Sequence, residues 1–266
     1  MKKCTDKEIK DTLFDILVYF DKLCTNYNLK YTLDSGTLLG AARHKDFIPW
    51  DDDIDVAMPY DDYKKLINLG DEINKLNNNF RLRGYSKRIN NKEHYIYPFL
   101  KLENKNTLAK FYTAKDNGGA WIDIFPLNGI PKDKKVFIKY AQKMDLYHSL
   151  LGKGNTINQE NFIKKFGRKI IRLGSNYYRD RMVKMLNELG RIHSDKVSDT
   201  VWADDRLHDV FPANFIDHYI KLEFRGKEFW AVKEYDKYLT IQYGNWRKLP
   251  PEEQRVGHHE YDLYIL

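Results

Sequence analysis

Apolar residues recur every three or four positions near the start of the chain, and this spacing predicts a long amphipathic helix. The apolar positions are Ile9, Leu13, Ile16, Leu17, Phe20, Leu23 and Tyr27. Thr5 and Glu8 precede them with the spacing of a capping box, in which each side chain accepts a hydrogen bond from the other residue's backbone N–H. We therefore predict a first helix over about 6–26, packed by its apolar stripe against a sheet.

Shorter apolar runs between turn-forming residues predict the strands of that sheet. Strands are predicted near 30–34, 53–58, 80–86, 94–103 and 120–126. Pro59 is expected to end the second strand, and Asp61 is placed to cap a helix that carries apolar residues from Tyr63 to Leu76.

Helical spacing returns between about 132 and 193. Gly152–Asn155 interrupts this region but lacks the spacing of a phosphate-binding loop, so we expect an exposed connection between helices there. Beyond it, Arg225-Gly226 predicts a two-residue hairpin turn, and Gly244 predicts the end of a helix over 235–243.

Composition narrows the class of protein. The chain has 266 residues, a net charge of +7 and only two cysteines, Cys4 and Cys24, so a disulfide framework and a four-cysteine zinc site are excluded. No apolar run approaches the length of a membrane span, and the N-terminus lacks a signal-peptide pattern, so we expect a folded cytoplasmic protein. The positive charge suits a nucleotide, a phosphate-bearing polymer, a lipid-linked acceptor at an acidic membrane surface, or nucleic acid.

Acidic residues on two predicted strands suggest a metal site. Asp53 and Asp55 alternate on one strand and should share a face, and Asp123 lies on another strand. The motif Ser35-Gly36-Thr37 lies at the point where a predicted strand ends and a helix begins. The unpaired N–H groups at the start of a helix attract phosphate. The combination favours metal-dependent phosphoryl chemistry.

The acidic cluster is also compatible with simpler roles. Asp51 and Asp52 either orient the site or form a solvated turn. A calcium loop is disfavoured, because Val56 stands where that loop requires glycine and Asp62 where it requires glutamate.

Several further side chains are candidates for substrate contact. They are Arg43, Trp50, Lys101, Trp121, Arg255 and His258. Arg43 suits a phosphate clamp or a basic helix end. Lys101 either enters the cleft or pairs with Glu103 at the surface. Trp50 and Trp121 could stack on a base, hold a quaternary ammonium group, or belong to the core.

Three blocks of sequence together resemble one protein family. They are DSGTLLGAARHKDFIPWDDDIDVAM at 34–58, WIDIFPL at 121–127 and YDKYLTIQYGNWRKLPPEEQRVGHH at 235–259. They are similar to the LicD family of phosphorylcholine transferases, which also includes the fukutin-related proteins. The resemblance implies an α+β fold with a nucleotidyltransferase-like mixed sheet, flanked by helices and extended by a helical elaboration.

The resemblance also implies an organisation for the chain. We expect a single catalytic domain over 1–266, with a core at about 1–130, a helical insertion at about 131–195, and a hairpin and tail at about 196–266. The tail, with Arg255 and His258, is expected to fold back over the site.

The activity implied is the transfer of phosphocholine from CDP-choline, or of a related phospho-alcohol, to a sugar hydroxyl. The acceptor would be a precursor of teichoic acid, lipopolysaccharide or capsule, and the other product CMP. Asp53, Asp55 and Asp123 would hold Mg²⁺ or Mn²⁺, with Gly36 and Thr37 at the diphosphate and a carboxylate such as Asp34 or Asp52 as proton acceptor. A peripheral contact with the inner face of the membrane would fit such an acceptor, whereas nucleic acid is not expected as a partner.

Two alternatives are retained. A nucleotidyltransferase acting on a sugar, an antibiotic or RNA would share the acidic motif. A non-catalytic anion-binding module would share the charge.

Overall fold

A computed structural model describes residues 1–76, 79–84, 89, 95, 97–113, 118–155, 162–202, 209–257 and 261–266. The strands are β1 (Lys2–Lys3), β2 (Thr32–Leu33), β3 (Asp55–Pro59), β4 (Phe80–Arg83), β5 (Leu100–Asn104), β6 (Thr107–Phe111), β7 (Trp121–Gly129), β8 (Lys196–Asp199), β9 (Val210–Pro212), β10 (Tyr219–Phe224), β11 (Lys227–Val232) and β12 (Tyr261–Ile265). The α-helices are α1 (Asp6–Asn26), α2 (Ser35–His44), α3 (Tyr60–Leu76), α4 (Lys134–Asn155), α5 (Phe162–Leu173), α6 (Ser175–Leu189) and α7 (Tyr235–Tyr243). No helix in these ranges has the length and apolar character to cross a membrane.

The first helix forms as its sequence predicts. The Thr5 hydroxyl accepts from the Glu8 N–H at 3.3 Å, and the Glu8 carboxylate accepts from the Thr5 N–H at 2.9 Å. The apolar residues of α1 are buried against the face of a sheet that contains β5 and β7. This packing covers one face of the sheet. The ends of the strands remain available to form a site.

That sheet has the strand order β2-β3-β7-β5-β4. β3 and β7 run parallel, whereas β2 with β3, β7 with β5 and β5 with β4 pair antiparallel. β8 and β9 extend the sheet from the far end of β7. The fold is therefore α+β with a mixed sheet, as expected.

Two of the differences between the predicted and observed strand boundaries affect the acidic residues and Lys101. β3 begins at Asp55, so Asp53 lies in the extended segment before the strand instead of on it. β5 begins at Leu100, and residues 97–99 are not part of the strand. Both differences arise because a strand extends only as far as its partner supplies hydrogen bonds.

Two helix predictions need correction. α3 begins at Tyr60, so Asp61 lies in its first turn and is not the cap. Gly152–Asn155 is the last turn of α4 and not a connection. Gly154 packs against the backbone of α5, where a Cβ would lie 3.4 Å from the Arg172 Cα, so the glycine serves a close approach between helices.

A second, small sheet brings the end of the chain to the middle of the molecule. β12 pairs antiparallel with both β1 and β6, and Tyr261 lies opposite Phe111. β6 was not predicted from the sequence. By contrast, β10 and β11 form the predicted hairpin, and Arg225 and Gly226 have φ angles of 52° and 75°, as a type I′ turn requires.

Candidate active site

Four strands place charged side chains in one row across the main sheet. In the pairing register Asp55 lies beside Asp123, Asp123 beside Lys101, and Lys101 beside Arg83. Residues opposite each other in a sheet share a face, so the two aspartates lie next to each other and next to a cation. The structure thus brings together Asp55 and Asp123, which are 68 positions apart in the sequence.

Lys101 supports Asp123 from the buried side. Its Nζ lies 3.5 Å from the Asp123 Oδ1, 3.9 Å from the Tyr97 ring centroid and 4.0 Å from the Trp121 ring centroid. The surface-lysine alternative is wrong, because Lys101 is buried and Glu103 pairs with Arg81 and Arg83.

The acidic side chains oppose one another's ionisation. Asp53 is exposed to the cavity that this cluster lines, yet surrounding protein atoms desolvate its carboxyl group. This desolvation, together with repulsion from Asp51 and Asp123, raises the pKa of Asp53 to about 8. Burial and then repulsion from Asp53 and Asp123 also raise the pKa of Asp55 well above its usual range. Desolvation by burial also raises the pKa of Asp51, and the charge of Asp52 adds to the rise.

The start of α2 is built around the acidic cluster. Ser35 has a φ of 48°, a conformation that few non-glycine residues adopt and that is typical of functional sites. A Cβ on Gly36 would overlap the Asp51 Oδ2, so in this structure the glycine makes room for a carboxylate. Ser35 and Gly36 line the cavity, but Thr37 is buried behind it, where its hydroxyl accepts from the Asp55 N–H at 2.9 Å.

Asp34 is a structural member of this cluster. It is buried, accepts a hydrogen bond from the Tyr238 hydroxyl at 2.8 Å and does not line the cavity. Burial raises the pKa of Asp34 to about 6, even though the Tyr238 hydrogen bond opposes the rise. Of the two additional carboxylates considered as proton acceptors, Asp52 lines the cavity and Asp34 does not.

The acidic cluster lines a cavity of about 860 Å³. Its carboxylates are Asp51, Asp52, Asp53, Asp55 and Asp123. The C-terminal segment contributes Tyr243, Asn245, Trp246, Lys248, Leu249, Pro250, Pro251, Gln254, Val256 and Tyr261. This volume is ample for a nucleotide-sized ligand.

Three aromatic rings form one part of the cavity lining. Phe111, Trp121 and Tyr261 have ring centroids 5.0–5.6 Å apart. Burial and then the charges of Asp52, Asp53 and Asp123 raise the pKa of Tyr261, so this ring lies beside the acidic cluster. An apolar wall beside carboxylates suits a cationic group with a bulky apolar surface.

Cationic side chains occupy another part of the lining. Arg43 lies on the cavity surface and donates from Nη1 to the Trp246 carbonyl at 2.8 Å. Trp50 also lines the cavity, whereas Lys101 and Arg255 do not. Arg255 donates to the Pro250 carbonyl and lies 5.9 Å from the Trp50 ring centroid. His258 lies outside the described residues.

Several lining residues were not predicted from the sequence, among them Phe111, Tyr261, Tyr243, Trp246 and Lys248. The last three fall within the block at 235–259, which carries the family resemblance but gives no sign of which side chains face a cavity. Phe111 and Tyr261 had no such signal, because their position depends on the pairing of β6 with β12.

The donor set suits a hard divalent cation. Carboxylate oxygens are the ligands that Mg²⁺ and Mn²⁺ prefer, and a cation would remove the repulsion that raises the pKa values of Asp53 and Asp55. Within the described part of the chain, no three acidic, histidine or cysteine side chains are arranged as they stand so that they could hold a metal ion.

Comparison with known proteins identifies the family of the chain. The family model for LicD/FKTN/FKRP, nucleotidyltransferase domain, matches residues 28–162. The chain is 30% identical over 279 positions to the lipopolysaccharide cholinephosphotransferase LicD of Haemophilus influenzae, covering all of both proteins. It is also 43% identical over 51 positions to an uncharacterised protein of Rickettsia prowazekii, 19% of either chain. The resemblance seen in the sequence is confirmed, and the chain belongs to the LicD family.

Proposed function

We propose that the protein is a metal-dependent transferase that moves phosphocholine from CDP-choline to a sugar hydroxyl of a cell-surface glycan precursor, with release of CMP. Lipopolysaccharide is the acceptor class that the name of the Haemophilus relative suggests. One observation carries the proposal: five carboxylates and an aromatic wall line the same cavity of a LicD-family chain.

Asp53, Asp55 and Asp123 are the residues proposed to hold the divalent cation. When bound, the cation would neutralise the charge that develops on the phosphate oxygens and on the departing CMP. Asp53 lies two residues before β3, and Asp55 is the first residue of that strand. Asp123 lies beside Asp55 in the pairing of β3 with β7, and these positions are the reason for proposing the three side chains together.

The remaining lining residues position the two substrates. Ser35 and Gly36 at the start of α2, with Arg43 in its last turn, offer N–H and guanidinium donors to the diphosphate. Trp121 and Tyr261 offer their faces to the quaternary ammonium group, which has no hydrogen to donate and is held by ring and charge.

The reaction is an in-line displacement at one phosphorus. The sugar oxygen forms a bond to the choline-bearing phosphorus as the bond from that phosphorus to the CMP oxygen breaks. The proton of the sugar hydroxyl passes to a carboxylate that lines the cavity. Most of the rate enhancement comes from alignment and charge stabilisation.

The direct test measures CMP release from CDP-choline with a glycan acceptor, in Mg²⁺ or in a chelator. Asp55→Asn should lower the rate by at least about a hundredfold, because a charged group that acts on the transition state is lost. Asp71→Asn on the exposed face of α3 makes the same chemical change outside the cavity and should keep the wild-type rate. Near-wild-type turnover by the Asp55 variant, or full activity in the chelator, would refute the proposal.

The same assay separates the nucleotidyltransferase alternative. With CDP-choline labelled in the choline, phosphocholine transfer leaves label on the glycan. With α-labelled CTP, nucleotidyl transfer would leave label there instead. Binding of anions without turnover of either donor would support the non-catalytic alternative.

A further inference from the structure

Helix α5 has an unusual division of side chains. Its sequence, FIKKFGRKIIRL, carries five basic residues and no acidic residue. Lys165, Lys169 and Arg172 follow the spacing i, i+4, i+7, which places them on one stripe of the helix. Phe166, Ile170 and Leu173 follow the same spacing one position later, so an apolar stripe runs directly beside the basic one.

Both stripes face water. The exposed fractions of Phe166, Ile170 and Leu173 are 58%, 55% and 80%, and Tyr177 at the start of α6 is 59% exposed. Lys165, Lys169 and Arg172 are also exposed. These are large apolar surfaces for a single helix to leave uncovered, and such patches mark a place of interaction.

The opposite side of α5 already has a partner. Gly154 of α4 lies against the Arg172 backbone. A Cβ atom at Gly154 would lie 3.7 Å from the Ile171 Cγ2. Ile171 is half-buried. The exposed stripes are therefore a second, outward surface of a helix that already packs against α4.

We propose that α5, with Tyr177, lies in the surface of an anionic membrane. The apolar stripe would enter the boundary between headgroups and acyl chains, and the adjacent basic stripe would contact phospholipid phosphates. This is binding to the membrane surface and not insertion across it. None of these residues lines the active-site cavity, so the proposal stands apart from the transfer chemistry.

Charge decides between a membrane and a second copy of the chain. Two copies of α5 meeting by this face would bring six exposed basic side chains together, three from each copy, with no acidic residue in either helix to offset them. An anionic lipid surface offers the complementary charge along the whole basic stripe, and it accepts the apolar stripe at the same time.

The test uses the full-length protein and sedimentation with vesicles of phosphatidylcholine, with or without one part in four of phosphatidylglycerol. The wild type should bind the anionic vesicles and release them as salt rises. Replacing Lys165, Lys169 and Arg172 together by Gln should weaken binding roughly fivefold for each charge removed. Phe166→Asn with Leu173→Asn should weaken binding at least about tenfold, because the apolar anchor is lost.

Matched controls come from α4. Lys135, Lys139 and Lys143 are exposed, and their joint replacement by Gln removes the same charge elsewhere. Val136→Asn with Leu146→Asn repeats the apolar change on side chains that are 51% and 54% exposed. Controls that lose binding as strongly as the α5 variants, or equal binding to neutral vesicles, would overturn the proposal. So would a concentration-dependent dimer in light scattering that only the α5 variants abolish.

CMP release with a water-soluble acceptor gives an independent check of folding. The α5 variants should keep the wild-type rate in that assay, since they lie outside the cavity. A variant that loses vesicle binding but keeps full turnover has lost only the membrane-binding surface. A variant that loses turnover but keeps vesicle binding has lost only the transfer reaction.

Discussion

Asp53→Asn should make the metal-free protein more stable while removing its activity. The wild-type carboxyl group has a pKa of about 8 in the folded chain, because desolvation and two neighbouring carboxylates oppose its charge. An amide at this position carries no charge and keeps a similar shape. The folded variant therefore carries neither an extra bound proton nor a destabilising negative charge at position 53.

The size of the effect follows from the change in pKa. An unfolded aspartate has a pKa near 3.9, and each unit of difference is worth about 1.4 kcal/mol, so the full rise would correspond to at most about 5 kcal/mol near pH 8. Asp53 is exposed to water in the cavity, and screening lowers this figure to about 1–2 kcal/mol.

The pH dependence has a definite sign. Between about pH 4 and pH 8 the folded chain holds a proton on Asp53 that the unfolded chain has lost, so stability falls as pH rises through this window. The Asn variant should show a flatter curve. A divalent cation should stabilise the wild type most at the upper end of the window, where the carboxylates are ionised, and should stabilise the variant less.

Urea unfolding at pH 5, 6.5 and 8, in a chelator and in Mg²⁺, measures all of these quantities. Circular dichroism and tryptophan fluorescence should report the same transition. The prediction is wrong if the variant is less stable than the wild type at pH 8 in the chelator, or if the two stability curves run parallel across the pH range.

Three further substitutions test other parts of the site. Gly36→Ala should lower the turnover rate at least about tenfold with the fold intact, because the new methyl group displaces the Asp51 carboxylate; unchanged turnover would contradict the close approach. Trp121→Leu should raise the KM for CDP-choline several-fold more than for CDP-glycerol, since only choline carries the quaternary ammonium group, and equal effects on both donors would exclude this contact. Thr37→Val should cost about 1–3 kcal/mol in unfolding free energy by leaving the Asp55 N–H without its acceptor, whereas Thr37→Ser should restore it.

Local patterns in the sequence predicted those elements whose structure is decided locally. The capping box at Thr5 and Glu8 begins α1, and Arg225-Gly226 supplies the two positive φ angles of the hairpin. The spacing of Gly36 and the aspartates located the acidic side of the cavity. In the first two cases the residues that determine the structure lie within a few positions of one another.

Long-range packing accounts for what the sequence did not predict. In the sequence, Gly154 suggests a break in a helix. In the structure it lies within α4, where the backbone of α5 packs against it. Lys101 looks like a surface lysine until its neighbours in the register, Asp123 and Arg83, bury it. The aromatic wall depends on the pairing of Phe111 with Tyr261, which are 150 positions apart.

The cavity lining comes from two regions of the chain. The carboxylates all lie within residues 28–162, the region that the family model matches. The segment from Tyr243 to Val256, together with Tyr261, lies beyond that region and lines the same cavity. Acidic side chains can serve any displacement at a phosphorus, because their task depends on charge alone. Choice of alcohol and acceptor depends instead on shape and ring faces, and these are supplied by the C-terminal segment and by the aromatic wall of Phe111, Trp121 and Tyr261.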